Sequence, residues 1–348
     1  MTPNPRKFLR TIGIDYSGAE TADSSLKGLR VYQAIGDAPA EEVFPPPSPK
    51  KYWTRRGLAE WLIGELDGSV PTVVGIDHGF SFPLRYFERH GLEPDWPGFL
   101  EDFCAHWPTD SPHTYVDFVR DGKVGDGAAR TGERTEEATG AAKSVFHFDV
   151  QGTVAKSTHA GLPWLRHMRN ARPVLHFWPF DGWQPPFGCS VIVEAYPRLW
   201  SQSFSKGDRT PDQHDAYSIA HWLQEADQNG TLADAFAPPP FGPVAATGLV
   251  EGWILGSQWP STEKARRGQR GKSMILAGTT QPGYVNRNRQ EVLSNTGEPG
   301  NDHNQFIYLL KCHNCGERYG ANGSDIFQRR CPICDGGRPG LAITSPDD

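Results

Sequence analysis

Two sets of residues in this chain have the types and spacing to do chemistry. The first is a series of carboxylates that close short apolar runs. Asp15 follows Ile12-Gly13-Ile14, Asp77 follows Val73-Val74-Gly75-Ile76, and Glu194 follows Val191-Ile192-Val193. An acid in that place is a poor choice for stability, because a desolvated carboxylate is costly unless it is paired or bound to a cation. Two more acids, Asp212 and Asp215, follow Thr210-Pro211 at the start of a helical pattern. Strand ends of one sheet, crossed by a helix, can bring several carboxylates to a space that holds two divalent ions about 3.5–4 Å apart. Hard ions such as Mg2+ or Mn2+ take oxygen ligands of this kind. Each acid also has an ordinary reading. Asp15 and Asp77 can cap turns, Glu194 can pair with Arg198, and Asp212 can complement a helix dipole. Asp215 lies one turn in, where the dipole explains less. His214 beside it is a candidate for proton transfer, or a neighbour that supports a ligand.

The second set is Cys312-His313-Asn314-Cys315 and Cys331-Pro332-Ile333-Cys334, two C-x2-C pairs with fifteen residues between them. The spacing fits one tetrahedral zinc ion gripped by two turns, with no open position, and hence a structural site. So small a unit needs the metal in order to fold. Residues 307–310 and 327–330 are expected as short strands feeding the two turns, as in a zinc ribbon. Cys104 and Cys189 stand apart and read as small buried apolar residues.

The charge is uneven. The 348 residues carry a net charge of −6, yet residues 257–348 hold 12 lysines and arginines against 9 acids. Between Lys264 and Arg289 there are seven basic residues and no acid. Arg266, Arg267, Arg270, Lys272, Arg287 and Arg289, with Arg318, Arg329, Arg330 and Arg338 further on, are candidates for contacting nucleic-acid phosphates. An acidic body that acts on a polyanion needs cations or such a basic patch to approach it. No run of about 18 apolar residues occurs, so no membrane span is expected. Residues 1–10 are polar and basic without the apolar segment of a signal peptide, which points to the cytoplasm.

The elements that must position these residues follow from periodicity. Residues 11–16 and 29–35 read as strands, with a third near 42–44, giving an antiparallel meander. Thr54 caps a helix whose apolar positions are Leu58, Trp61, Leu62 and Leu66. A buried strand at 72–77 comes next. Residues 79–107 read as short packed helices rich in aromatics, and 121–142 as a flexible loop. Residues 152–158 have a superficial likeness to a phosphate loop, but Ala155 stands where glycine must precede Lys156, and the first glycine is too close. Lys156 is a candidate for contacting a phosphate, or an ordinary solvated loop lysine. A helix over 162–169 and strands at 174–178 and 191–195 follow. Thr210, Pro211 and Gln213 open a helix with a capping box, and Ala216, Ile219, Ala220 and Leu223 form its packing face. Residues 230–243 read as a proline-rich linker.

Taken in order, Ile12-Gly13-Ile14-Asp15, Gly75-Ile76-Asp77-His78-Gly79-Phe80, Val193-Glu194-Ala195-Tyr196-Pro197 and His214-Asp215-Ala216 resemble the successive motifs of a family of predicted RNase H-like nucleases, catalogued as a domain of unknown function (number 429). Glu251-Gly252-Trp253-Ile254 is similar to the end of that domain. The resemblance covers roughly residues 8–256. It implies an RNase H-like sheet with Asp15, Asp77, Glu194 and Asp215 as ligands of two Mg2+ or Mn2+ ions. Asp15 would bridge them, one ion activating a water and the other stabilising the leaving oxygen. Members often carry a further Glu after the Pro of the third motif; here Arg198 stands there.

The expectation is therefore an α/β protein in three parts. Residues 1–256 form an RNase H-like catalytic domain with a mixed five-stranded sheet, order 3-2-1-4-5, helices on both faces and an insertion at 79–150. Residues 257–303 form a basic connector and 304–348 a zinc ribbon. The expected function is metal-dependent hydrolysis of phosphodiester bonds in DNA or RNA, assisted by the ribbon. One alternative is a non-catalytic nucleic-acid-binding or adaptor protein on the same fold. The other is an actin-like or sugar-kinase-type ATPase, disfavoured because it needs a duplicated domain and the chain shows no repeat.

Overall fold

The computed structural model describes residues 7–130, 148, 154–240, 242–257, 280, 282–301 and 306–342. The chain divides into two compact units, Met1–Trp259 and Pro260–Asp348.

The first unit opens with β1 (Arg10–Asp15), β2 (Arg30–Ile35) and the two-residue β3 (Glu41–Glu42), paired as an antiparallel meander. Helix α1 (Arg55–Glu65) follows; Thr54 caps it by accepting a hydrogen bond from the Gly57 N–H at 2.9 Å. Strand β4 (Thr72–Asp77) then lies parallel to β1. The aromatic stretch forms α2 (Leu84–His90) and α3 (Trp96–His106), and the short turns α4 (Val116–Arg120) and α5 (Gly127–Arg130) come after them. Phe80, Phe82, Tyr86, Phe87, Trp96, Phe99, Phe103 and Trp107 are all buried, so this segment packs as a helical insertion. Most of the loop expected at 121–142 lies outside the described residues.

Helix α6 (Ala155–Ala171) begins earlier than the 162–169 pattern predicts, because Pro163 sits within it and hides its length. Strands β5 (His176–Trp178) and β6 (Val191–Glu194) complete a six-stranded sheet of order β3-β2-β1-β4-β6-β5. The expected five-stranded order is thus corrected. Strand β6, the later in sequence, takes the place beside β4, and β5 adds a sixth strand at the edge. Helix α7 (Pro211–Gln228) has the expected capping box: Thr210 Oγ1 accepts from the Gln213 N–H and Gln213 Oε1 from the Thr210 N–H. The supposed linker at 230–243 contains α8 (Leu232–Ala235) and the start of α9 (Gly242–Glu251).

The two faces of the sheet are covered by different chemistry. One face, with Ile12, Ile14, Val74 and Ile76, packs under α1, α6 and the aromatic insertion. The other lies under α7, whose Ala216, Ile219, Ala220 and Leu223 are fully buried. Two register-paired glycines, Gly13 and Gly75, let α7 bed onto the sheet. A Cβ on Gly13 would stand 2.2 Å from the Ala216 carbonyl oxygen and 2.4 Å from the Ala220 nitrogen. Only a residue without a side chain admits a helix backbone that close. The glycines of the strand-acid motifs are therefore helix-docking positions.

The second unit is a three-stranded antiparallel sheet, β7 (Gln290–Pro299), β8 (Phe306–Cys312) and β9 (Arg318–Asn322). Two expectations are corrected. The proposed connector at 257–303 is not all linker, since residues 290–299 form β7 and pair with β8. The second strand expected at 327–330 is absent; a 3-10 segment, Gly323–Gln328, leads into the second cysteine pair and β9 takes the strand's place. Cys104 and Cys189 are half-buried, not enclosed.

Candidate functional site

Asp15 and Asp77 are register partners at the ends of two adjacent parallel strands, roughly 4.8 Å apart along the hydrogen-bonding direction. Gly13 and Gly75, two residues earlier, face α7, so strand alternation carries both aspartates to that side as well. There α7 presents Asp212 and Asp215 from its first two turns. Asp212 lies near the loop after β1: a Cβ on Gly28 would be 3.6 Å from Asp212 Oδ2 and 3.7 Å from Ser17 Oγ.

The electrostatics follow from this closeness. Burial, then the charges of Asp77, Asp212 and Asp215, hold the Asp15 carboxyl well above its ordinary range, with the Tyr16 N–H pulling the other way. Burial and Asp215 push Asp77 up to about 7. Burial also raises Asp215; Asp212 adds to this while His214 and Lys206 oppose it. Among the described residues no lysine, arginine or histidine forms an ion pair with Asp15 or Asp77. Partly buried acids that repel one another and lack a resident cation can hold divalent ions through their oxygens.

Glu194 departs from the expected arrangement. It is in register with Ile76, not with Asp77, so it leaves the sheet on the opposite face. Its Oε2 accepts a hydrogen bond from the Phe80 N–H at 3.1 Å. Burial raises its carboxyl to about 8 against that hydrogen bond, and the Asp77 charge adds to the rise. Glu194 thus feels the cluster only through the charge of Asp77 and belongs to its margin. The four acids do not form a closed cage, since only the cysteine quartet, among the described residues, brings three or more possible ligand atoms within 4.8 Å of one another.

His214 is buried and its Nε2 is hydrogen-bonded to the Ser201 carbonyl oxygen at 2.9 Å, which ties it to the turn before α7. Lys156 is no loop lysine: it lies in the first turn of α6 and pairs with Asp117 at 2.8 Å. Arg266, Arg267, Arg270 and Lys272 lie outside the described residues.

Two supporting residues escape sequence reasoning. Arg55 is fully buried and donates to three backbone carbonyls of the loop after β1: Ser17 at 3.1 Å, Ala19 at 2.6 Å and Glu20 at 2.8 Å. It fixes the loop that carries the chain away from Asp15. A signal did exist, because an arginine in a first helical turn opposes the helix dipole and needs a reason. Thr158 Oγ1 accepts from the Gly79 N–H at 2.8 Å and fixes the turn after Asp77; nothing local marks it.

In the second unit the four cysteine sulfurs converge. Cys312 and Cys334 Sγ are 3.6 Å apart, and Cys315 and Cys331 Sγ 3.5 Å. Tetrahedral zinc with Zn–S bonds of about 2.3 Å needs sulfurs about 3.8 Å apart, so the quartet could hold a metal ion such as zinc. The N–H groups of Asn314 and Ile333 each point at the sulfur two residues back, at 3.4 Å. Gln290 Nε2 donates to Cys312 Sγ at 3.5 Å. Burial raises the Cys312 thiol, but the Cys315 N–H, Gln290, the Asn314 N–H and the Cys334 thiol outweigh it and bring the thiol down to about 6. Such donors stabilise thiolates, the form that binds metal. No helix of the described residues is long and apolar enough to cross a membrane. Comparison with family models, curated proteins and solved structures finds no match.

Proposed function

We propose that the first unit is an RNase H-like nuclease that hydrolyses phosphodiester bonds of DNA or RNA with divalent cations. The observation that carries this reading is the register pairing of Asp15 with Asp77 beneath a helix that brings Asp212 and Asp215 to the same side. The strand order around them supports it: an antiparallel meander, then a parallel strand on the far side of β1. So does the order of the sequence motifs.

Asp15, Asp77 and Asp215 would hold the cations, with Asp212 completing the oxygen set and Glu194 at its margin. Two Mg2+ or Mn2+ ions there would lower the pKa of a water and neutralise charge on the scissile phosphate. The residues themselves do the positioning. Gly13 and Gly75 set the depth of α7 and so the spacing of Asp215 from the strand ends. Arg55 and Thr158 hold the two loops that leave Asp15 and Asp77. His214, bonded to Ser201, orients the turn of α7 that carries Asp215. The second unit would hold one structural zinc ion and assist nucleic-acid binding.

The test is incubation with labelled DNA and RNA, single- and double-stranded, with Mg2+ or Mn2+. Metal-dependent cleavage by the parent and its loss in Asp77→Asn are expected. Equal cleavage by the two proteins would sink the assignment, and nucleic-acid binding without cleavage by either would favour a non-catalytic binding protein.

A further inference from the structure

The second unit contains a cavity of about 420 Å³ lined by Arg287, Asp325, Gln328, Arg329, Arg330 and Arg338, with Gly336 and Gly337. Three separate segments build it, and each is held in place. Asn286 and Asn288, on either side of Arg287, donate to carbonyls of the 326–329 segment. Asn286 Nδ2 reaches Ile326 at 2.6 Å and Arg329 at 2.8 Å, and Asn288 Nδ2 reaches Gln328 at 3.0 Å. Arg287 is thereby fixed beside Arg329 and Arg330. The third segment folds back past the second cysteine pair. The Gly337 N–H donates to the Cys331 carbonyl at 2.9 Å, and a Cβ on Gly337 would stand 2.0 Å from the Arg330 carbonyl oxygen. That contact puts Arg338 on the same wall.

Four arginines and one aspartate thus line one cavity. Arg329 is buried, bonded to the Pro339 carbonyl at 2.6 Å and 3.9 Å from Asp325, and its Nε has no hydrogen-bond partner. Arg287, Arg330 and Arg338 are exposed, and among the described residues none of them forms an ion pair. With Asp325 set against Arg329, these three unpaired arginines leave the cavity an excess of positive charge that favours an anion. No aromatic ring lines the cavity, so it offers no stacking platform for a base, and its size suits a phosphate with its sugar.

We propose that this cavity is the nucleic-acid anchor of the chain: it binds backbone phosphates through Arg287, Arg330 and Arg338, independently of base sequence. The proposal rests on the nucleic-acid reading above and deepens it. Arg330 and Arg338 flank the second cysteine pair and Arg287 is clamped to the segment before it, so the anchor exists only when the cysteine quartet is closed on its metal.

The experiment uses the full zinc-loaded chain carrying Asp77→Asn, without Mg2+ or Mn2+, and follows fluorescence anisotropy of labelled oligothymidylate and oligouridylate across a salt series. Each phosphate contact on a single strand contributes about 0.7 to the slope of log affinity against log salt. Arg287→Ala with Arg338→Ala should lower the slope by about 1.4 and the affinity roughly 25-fold at 0.1 M salt. Arg330→Gln alone should lower the slope by about 0.7. Zinc content equal to that of the parent shows that each variant is folded. Unchanged slope and affinity in folded variants would overturn the anchor, whatever the cleavage assay gives. Slope losses as stated, in a chain whose parent never cleaves, would uphold the anchor and overturn the nuclease reading alone.

Discussion

Replacing Gly13 with alanine tests how the site is assembled. The added methyl would stand 2.2 Å from the Ala216 carbonyl oxygen, whereas ordinary contacts of this kind begin at 3.4 Å. Both obstructing groups, Ala216 O and Ala220 N, are backbone, so no rotamer change relieves the clash. Helix α7 must withdraw by about 1.2 Å, and its buried row of Ala216, Ile219, Ala220 and Leu223 opens with it. Overpacking of this kind costs about 3 kcal/mol, which for a unit of this size lowers the midpoint of thermal unfolding by about 6–12 °C. All 11 tryptophans lie in the first unit, so tryptophan fluorescence follows its unfolding alone. Gly64→Ala is the control. It sits in α1 with open space around it and should be neutral or stabilising by up to about 1 kcal/mol. The same withdrawal moves Asp215 from Asp15 and Asp77, so Mn2+ affinity, read by calorimetry, should fall in Gly13→Ala and hold in Gly64→Ala. A Gly13→Ala protein with parental midpoint and Mn2+ affinity would refute the close docking of α7 as the device that assembles the acids.

Without divalent cations, the raised pKa values of Asp77 and Glu194, about 7 and 8, mean that the folded unit keeps protons the unfolded chain has lost. Their contribution is present below the ordinary carboxylate range and disappears as pH rises through 7 and 8. Tryptophan-monitored melting in chelator should therefore show stability falling from pH 5 to pH 8.5, and Asp77→Asn should flatten the fall; a rise over that range would contradict the acid cluster. Arg55→Ala empties the space of a fully buried side chain and frees the loop it holds, and should cost about 3 kcal/mol in the same melt. Removal of zinc, or Cys331→Ser, should unfold the second unit while the tryptophan melt is unchanged, because metal binding supplies its folding free energy. Circular dichroism and limited proteolysis read that loss.

Parts of this molecule were legible in the chain because they are local. The Thr210-Pro211-Gln213 helix start, the Thr54 cap and the strand at 72–77 depend on neighbours within a turn or a strand length, and all appear where their signals stand. The C-x2-C pairs carry their own geometry and converge as their spacing requires. Strand β7 was hidden inside a basic, polar stretch: only one face of it packs, and its partner β8 lies farther along the chain. Arg55, an ordinary helix residue by sequence, is buried because the loop it binds is brought over it by the sheet.

The sequence by itself determined which acids end strands, where the capped helices α1 and α7 begin and that four cysteines form one site. Those features rest on alternation, caps and spacing, which are short-range. The tertiary structure alone decided which of the acids meet. Register pairs Asp15 with Asp77 and sends Glu194 to the other face, a difference of one residue that no strand encodes in isolation. It also decided the depth of α7, fixed by two glycines on neighbouring strands, and the grouping of Arg287 with Arg330 and Arg338, set by asparagines that clamp segments some forty residues apart and by the close return of Gly337.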